Sequence, residues 1–589
     1  MLRNAVLFAA LLSAAGAASA AVDNLRTVAE QSGFKRTGRY DEVIDLCARF
    51  AKAWPDAVRC DEFGRTPEGR PLLALVATTS GARTPEAARE QGIPVSLFQG
   101  GIHAGEIDGK DAGFLLLREI LQGKAGKGLL DKQVMVFVPV FNVDGHERFG
   151  AWNRPNQRGP EQMGWRTTAQ NYNLNRDYLK ADAPEMQAML ALMGRWDPTI
   201  YVDLHVTDGA KFEHDVAIQV EPLYSGDEEL RKLGRDLRDQ TLARLSKQGS
   251  LPLGFYPSFV NTDDPTSGFA DGVAPPRFST GYVPLRNRFA MLVETHSWKP
   301  YPVRVKVTRN TMLDVLQLVS ERGRDWRTEQ LTADERAATL GGTRVALDYK
   351  ASDTAREIEF RGYAYTRTPS EISGALMTRY DERKPQIWKV PLRDDVQPGT
   401  QVEVPKAGYL VPAAWATLVA AKLDAHGVAY RRVTDPLSRM ALQTFRASAA
   451  RFAAQSSENH QRATLQGEWQ GETRDLAAGA LYVPLAQARS RIAVALLEPQ
   501  APDSLAAWGA FNGAFEQKEY MEEYVAEDVA REQLKRDPKL AEEFQRKLAN
   551  EPEFVKDSNA RLQFFARRHA SWDEQFNLYP VFRVDRAPE

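Results

Sequence analysis

Four residues from three separate parts of the chain have the side chains needed to bind a metal ion and activate water. They are the pair His103-x-x-Glu106, a second histidine at His205 and a further carboxylate at Glu294. Two imidazoles and a carboxylate can fill three corners of a tetrahedral zinc site, leaving the fourth corner open for water. The second carboxylate can then accept a proton from that water. These residues predict a hydrolytic centre that holds one zinc ion.

The spacing of His103 and Glu106 is weak evidence alone, because the same pair arises by chance or on the surface of a helix. Its surroundings give it more weight. The segment 94–99 is predicted as a strand that runs into a glycine-rich turn, and 111–121 is predicted as the next helix. His103 would then leave the strand while Glu106 opens the helix, so that both side chains can reach one ion.

The other two residues also follow predicted strands. Apolar runs over 200–204 and 289–293 end immediately before His205 and Glu294, and a further valine-rich run covers 134–140. Such continuous runs are typical of strands buried on both faces, and open α/β sheets place ligand sites at the carboxyl ends of their strands. We therefore predict an α/β fold whose sheet brings the four residues together.

Further motifs follow in an order that resembles the zinc carboxypeptidases of the carboxypeptidase A and B type. The resemblance covers roughly residues 41–318. It implies a mixed sheet flanked by helices, with zinc held by His103, Glu106 and His205. The motifs that carry it, besides the metal-binding pattern, are Asn142-Val143-Asp144-Gly145, Trp165-Arg166-x-Thr168, Asn175-Arg176 and the strand that ends at Glu294.

The resemblance also implies a role for each of these site residues. Glu294 matches the general base, and Arg166 matches the arginine that helps to hold the scissile carbonyl. Asn175 and Arg176 match the pair that binds the terminal carboxylate of the substrate, for which a guanidinium is suited by its two parallel donors. The tyrosine that caps the substrate is assigned to Tyr282.

Two features of the sequence depart from the family pattern. The capping tyrosine cannot be placed by a motif, and Tyr256 is a rival to Tyr282 in the same Gly- and Pro-rich stretch, 254–288. The residues that follow His205, Val206-Thr207-Asp208, differ from the usual pair of a serine and an aromatic residue. This second departure leaves the contacts to the penultimate residue of a substrate open.

The length of 589 residues requires more than one hydrophobic core. We predict a signal peptide over 1–20 and a zinc carboxypeptidase-like catalytic domain over 21–335. A smaller mixed α+β accessory domain is predicted over 336–505. A helical, charged region is predicted over 506–589, with Pro538 and Pro552 in the first turns of two of its helices.

The first twenty residues have a basic start, an apolar run and Ala18-Ser19-Ala20, which is typical of a signal peptide. We therefore expect a periplasmic or secreted protein without a membrane span after the signal is removed. The net charge of -2 gives no reason to expect nucleic acid as a partner. Cys47 and Cys60 could form a bridge or remain two buried thiols.

Three hypotheses for the function follow. The first is an exported zinc metallocarboxypeptidase that cleaves the C-terminal bond of peptides with a free carboxylate, active without removal of a pro-segment. The second is a zinc amidase or desuccinylase acting on acyl amino acids or cell-wall peptides. The third is a binding protein without catalysis. The sequence does not define the oligomeric state or the preferred terminal residue.

Overall fold

The computed structural model describes residues 25–588, and the predicted signal peptide lies outside this range. The first part of the chain, up to residue 337, contains nine strands in its described residues. In chain order they are β1 (Val58–Arg65), β2 (Pro71–Ala77), β3 (Val95–Gly100), β4 (Val134–Val138), β5 (Ile200–Thr207), β6 (Val216–Glu221), β7 (Pro252–Leu253), β8 (Phe269–Ala270) and β9 (Phe289–His296).

All of these strands except β8 form one mixed sheet in the order β1-β2-β4-β3-β5-β9-β6-β7. The four central strands β4, β3, β5 and β9 are parallel to one another, while β2 and β6 run antiparallel to them on either side. Every residue of β3, β4 and β5 is buried, as expected for strands covered by helices on both faces. The predicted α/β fold with a mixed sheet is confirmed.

Helices cover this sheet. The long helix Tyr301–Ala337 packs against Asp108–Leu121 and Glu228–Lys247, while Tyr40–Ala53 and Pro184–Trp196 pack against β1. The remaining helices of this part are short: Val28–Gln31, Pro85–Glu90, Val143–Glu147 and Ser279–Tyr282.

The predicted strands are all present, but two of them are longer than expected. Strands β5 and β9 continue to residues 207 and 296, so His205 and Glu294 lie within the last residues of a strand rather than after it. The helix after the metal-binding motif begins at Asp108, so Glu106 lies in the turn before it and does not open it. Apolar runs predict only the part of a strand that is buried by apolar side chains, which explains the shorter prediction.

The second part of the chain contains a sheet in the order β17 (Arg431–Arg432), β20 (Leu481–Pro484), β16 (Gly408–Val411), β21 (Phe582–Val584), β18 (Leu437–Phe452) and β19 (Ala463–Leu476). The helix Ala413–His426 ends at Gly427, whose φ of 66° is suited to a glycine cap, and packs against Pro184–Trp196 of the first part. The strands of this part are β10 (Arg344–Ala346), β11 (Tyr349–Ala351), β12 (Arg356–Pro369), β13 (Leu376–Arg393), β14 (Val396–Pro398), β15 (Gln401–Glu403), β16 (Gly408–Val411), β17 (Arg431–Arg432), β18 (Leu437–Phe452), β19 (Ala463–Leu476), β20 (Leu481–Pro484) and β21 (Phe582–Val584).

Two long hairpins belong to this second part. Hairpin β12–β13 forms a three-stranded sheet with β8 of the first part, because Leu392 and Arg393 of β13 pair in parallel with Phe269 and Ala270 of β8. Hairpin β18–β19 belongs to the sheet that contains β21. The predicted boundary at 505/506 therefore separates β21 from the strands with which it pairs, although the boundaries themselves remain predictions.

Within the predicted helical region 506–589, four helices lie between residues 523 and 566, and strand β21 follows them. These helices have an apolar cluster of their own around Phe554, Phe564 and Phe565. Pro538 and Pro552 occupy the first turns of their helices. The helices are Glu523–Arg536, Pro538–Asn550, Pro552–Lys556 and Ser558–Ala566.

Cys47 and Cys60 form a disulfide that joins the helix Tyr40–Ala53 to β1, with Cα atoms 5.4 Å apart. This resolves the two alternatives for the thiols in favour of the bridge. Among residues 25–588, no helix combines the length and the apolar character required to cross a bilayer.

Candidate metal centre and substrate cleft

The structure brings His103, Glu106 and His205 together in one buried cluster. One potential ligand atom from each residue lies within 4.8 Å of the others. The Nδ1 atom of His103 lies 2.9 Å from Glu106 Oε1, and the Nδ1 atom of His205 lies 3.0 Å from Glu106 Oε2. The carboxylate is thus placed between two imidazole nitrogens. This set of two imidazoles and a carboxylate fits zinc in type and spacing.

The turn after β3 directs the first two residues toward the cluster. Gly101 has a φ of 61°, which a glycine adopts without strain. A Cβ atom on Gly100 would lie 2.7 Å from the carbonyl oxygen of Pro139, so the turn can approach the loop after β4 only without a side chain. Two successive glycines therefore allow the sharp change of direction that places His103 and Glu106 near β5.

His205 and Glu294 face each other across neighbouring strands. They are direct partners in the parallel register of β5 and β9. The backbone N–H of Val206 donates a hydrogen bond of 3.0 Å to Glu106 Oε2, which ties the turn after β3 to β5. The sheet register, rather than any local motif, thus brings the general-base candidate beside the candidate metal ligand His205.

The outer nitrogen of His205 also has a charged neighbour. Its Nε2 atom lies 2.9 Å from Asp203 Oδ1, and the other oxygen of Asp203 accepts a hydrogen bond of 2.6 Å from Ser279 Oγ. A carboxylate behind a histidine fixes the orientation of the ring and increases its basicity toward a metal. Asp203 and Ser279 carry no motif that indicates this role in the sequence.

The charges of the cluster strongly affect its protonation. Burial, the largest effect, would raise the pKa of Glu106, but the nearby His103 and Arg154 and the hydrogen bonds of both histidines hold the pKa well below its usual range. Burial lowers the pKa of His103 to about 4. Burial also disfavours the charged form of His205, yet the carboxylates of Asp203 and Glu294 raise its pKa.

Glu294 is buried, and its Oε2 atom has no hydrogen-bond partner among the described residues. Burial raises the pKa of Glu294 to about 8, and the negative charges of Glu106 and Asp203 act in the same direction. A cation bound nearby would lower this pKa again, because it stabilises the charged carboxylate. An unsatisfied buried carboxylate beside three metal donors is suited to accept a proton at neutral pH.

Two arginines approach Glu106. The predicted Arg166 lies with Nη1 3.5 Å from Glu106 Oε1, and its side chain is 39% exposed toward the cleft. Arg154 is buried and closer, with Nη1 2.9 Å from the same oxygen, and it also donates to the carbonyl of Val206. Sequence reasoning missed Arg154, because it lies in an irregular segment with no recognisable motif.

The predicted carboxylate-binding pair lies on a short 3₁₀ turn at 174–176. The Arg176 guanidinium lies 4.2 Å from the centre of the Phe278 ring and donates to the carbonyl of Asn175. No carboxylate of the described residues forms an ion pair with it. Burial, followed by the positive charges of Arg166 and Arg277, lowers the pKa of Arg176, so a bound anion would stabilise its charged form.

The structure places Tyr282 away from this cleft. Its ring is fully buried, and its hydroxyl lies 2.9 Å from Nδ1 of His426 on the helix Ala413–His426. The capping role does not fit this position, because the hydroxyl is used in the contact between the two parts of the chain. The rival, Tyr256, lies nearer to the cleft, because its hydroxyl is 2.8 Å from Thr207 Oγ1 on β5. Burial raises the pKa of Tyr256, and the negative charge of Glu294 acts in the same direction.

Residues 43–254 match the family model described as zinc carboxypeptidase. This segment is a zinc carboxypeptidase domain. The match contains the metal cluster, Arg166, Asn175 and Arg176, whereas Glu294 lies beyond it. The metal of this family is zinc, which agrees with the donor set.

An individual relative is also similar to part of the chain. The chain is 28% identical over 185 residues to a protein of Trichophyton verrucosum (strain HKI 0517) named "Probable carboxypeptidase 2". The match covers 29% of this chain and 32% of that protein, so the chain spans about a third of the length of its curated relative.

Solved structures of two carboxypeptidases are also similar. A metallo-carboxypeptidase from Burkholderia cenocepacia is 17% identical with a TM-score of 0.34, and the match covers 47% of this chain and 69% of that one. Carboxypeptidase A from Helicoverpa armigera is 15% identical with a TM-score of 0.35, and the match covers 49% and 74%.

Proposed function

We propose that this protein is an exported zinc metallocarboxypeptidase that removes the C-terminal residue of peptides with a free carboxylate. The observation that carries the proposal is the meeting of three buried metal donors with the unpartnered carboxylate of Glu294 on the adjacent strand. Export to the periplasm or the exterior is supported by the signal-like N-terminus and agrees with the disulfide between Cys47 and Cys60.

His103, Glu106 and His205 would hold the ion. When bound, zinc would polarise the scissile carbonyl and make water a stronger nucleophile at neutral pH. Glu294 accepts a proton from the attacking water and passes it to the leaving amine nitrogen. Because Glu294 is buried beside His205, this proton is shielded from bulk solvent during the transfer.

The cleft residues hold the substrate in place for this step. Arg166 donates hydrogen bonds to the carbonyl oxygen as negative charge develops on it. Asn175 and Arg176 bind the terminal carboxylate, since the guanidinium has no ion-pair partner among the described residues. Together these groups fix the last peptide bond against the metal cluster.

The free terminal carboxylate is the part of the proposal that separates a carboxypeptidase from an amidase. The test compares two peptides of one sequence, one with a free C-terminus and one blocked as an amide, and follows release of the last residue by mass spectrometry. We expect release from the free peptide, with kcat/KM lower by roughly 10²-fold or more for the blocked one.

Equal turnover of both peptides would exclude the role of Arg176 and favour the amidase. No release from either peptide by the zinc-loaded protein, across a mixed library, would favour a binding function without catalysis. A purified protein treated with a chelator serves as the control for metal dependence.

A further inference from the structure

The tip of hairpin β18–β19 lies at the rim of the candidate cleft. Residues 453–462 connect the two strands, and Ser457 and His460 close a tight turn through two backbone hydrogen bonds of 2.9 and 3.0 Å. The two residues inside the turn are Glu458 and Asn459. The second part of the chain therefore contributes a loop to the zinc carboxypeptidase domain.

Contacts on both sides hold this tip in position. The Nε2 atom of His460 lies 2.7 Å from Asp182 Oδ2 of the first part, and Asp182 also accepts a hydrogen bond of 2.7 Å from Lys422. The guanidinium of Arg462 lies 4.4 Å from the centre of the Trp508 ring. A turn fixed by several such contacts can present a side chain at a constant position.

The backbone of the turn is strained at Glu458. Glu458 has a φ of 50° and Asn459 a φ of 64°, as a two-residue turn of this type requires. Asparagine and glycine tolerate this conformation, whereas glutamate is disfavoured in it. A strained residue that the surroundings hold in place is a candidate for a function, because another residue would form the same turn more easily.

The Glu458 carboxylate lies against the substrate-binding segment. Its Oε2 atom accepts a hydrogen bond of 3.0 Å from the backbone N–H of Asn173. The side-chain oxygen of Asn173 lies 3.2 Å from Nε2 of the metal-binding His103. The carboxylate is thus two contacts away from the cluster, on the side where Asn175 and Arg176 lie.

Glu458 has no ion-pair partner among the described residues. Its negative charge acts on Arg176, where it opposes the larger effect of burial on the arginine. A partly exposed carboxylate that lacks a cation in the protein is free to pair with a cationic group of a ligand. The rim therefore carries a positive group and a negative group that act on each other electrostatically, and neither forms a direct ion pair in the described part of the chain.

We propose that Glu458 makes the enzyme prefer substrates whose C-terminal residue has a cationic side chain, such as lysine or arginine. The inference rests on the proposed function, since it needs a terminal carboxylate on Arg176. With that carboxylate bound, the side chain of the same residue extends along the rim, and a positive end group pairs with Glu458. The specificity of the zinc carboxypeptidase domain then depends on a residue of another part of the chain.

The test measures kcat/KM for three peptides that differ only in their last residue, which is lysine, leucine or glutamate. The wild-type protein is compared with Glu458→Gln, which keeps an oxygen acceptor for Asn173 but loses the charge. We expect the wild type to prefer lysine, and the variant to lose roughly 10–100-fold on lysine while leucine changes by less than about twofold. Glu468→Gln, on the exposed face of the same hairpin, is the matched control and should change nothing.

A second variant, Glu458→Asn, removes the charge and suits the turn better than glutamate does. It should show the same loss of preference without a decrease in thermal stability, which separates the effect of charge from a folding defect. An equal decrease for all three peptides would mean that Glu458 only supports Asn173, and would overturn the inference.

The inference and the proposed function fail in different ways. Release of leucine without any preference for lysine in the wild type overturns the role of Glu458 alone. If the zinc-loaded wild type releases no residue from any of the three peptides, the carboxypeptidase function fails and the inference fails with it.

Discussion

The floor of the cleft and its rim are built in different ways. The floor consists of His205 and Glu294 on adjacent buried strands, with His103 and Glu106 in a tight turn beside them. The rim consists of a 3₁₀ turn, irregular loops and a hairpin tip from the second part, and its charged groups, Arg176 and Glu458, lack direct ion-pair partners among the described residues. The buried floor is suited to chemistry, whereas the rim is suited to the selection of substrates.

The largest expected effect comes from the floor. Glu294→Gln should reduce turnover by about 10²–10⁴-fold, because the amide cannot accept the proton of the attacking water. Zinc content should remain at the wild-type level, since Glu294 is not part of the donor cluster. Terminal-residue release and elemental analysis measure the two quantities. Wild-type turnover in the variant would remove Glu294 from its role.

On the rim, Arg176→Ala should lower kcat/KM for free peptides by on the order of 10²-fold, because the terminal carboxylate loses a charged hydrogen-bond donor. Amide-blocked peptides should show little further loss, which distinguishes this variant from a damaged floor. The exposed Arg195→Ala is a suitable control. A loss of equal size on both kinds of peptide would contradict the assignment of Arg176.

A smaller effect is expected behind the floor. Asp203→Asn removes the negative charge next to the outer nitrogen of His205, and zinc affinity should fall by roughly 10–100-fold. Competition with a chelator of known affinity measures the change. Asp239→Asn, at an exposed position of the helix Glu228–Lys247, is the control. An unchanged affinity would show that the sheet alone orients His205.

The smallest effect concerns the anchor of the hairpin tip. His460→Ala removes the contact with Asp182 and should raise KM for a lysine-terminated peptide about two- to fivefold, as expected for a partly exposed ion pair, with kcat unchanged. His569→Ala, in the C-terminal helical region, is the control. If kcat falls instead, the tip influences the floor, and the two regions are less separate in their function than in their construction.

The two regions also differ in how well the sequence predicts them. The floor residues follow recognisable apolar runs or a glycine turn, so their types, order and approximate position can be inferred from the sequence alone. The pairing of these residues cannot be inferred in the same way, because the position of His205 opposite Glu294 depends on the register of β5 and β9. The apolar runs also end short of the strands, because the polar side chains at the site interrupt the apolar pattern.

The rim and the residues that support the floor are much less accessible to prediction. Arg154 contacts Glu106 from a distant segment, and Asp203 is bound by Ser279 from another, so no motif reveals either role. Tyr282 is assigned by its place in a loop, yet its hydroxyl contacts His426, more than a hundred residues later. Glu458 belongs to a part of the chain that the carboxypeptidase resemblance does not cover. Long-range packing, which a single sequence does not show, decides all four positions.

Strand β21 has a consequence for how the cleft is assembled during synthesis. It lies between β16 and β18, and the buried Arg583 that it carries donates to Glu498. The ribosome makes residues 582–584 long after both neighbouring strands, so the sheet that supports the β18–β19 tip stays divided until then. The metal-binding residues can meet earlier in translation, and the nascent enzyme should therefore acquire its chemistry before its selectivity.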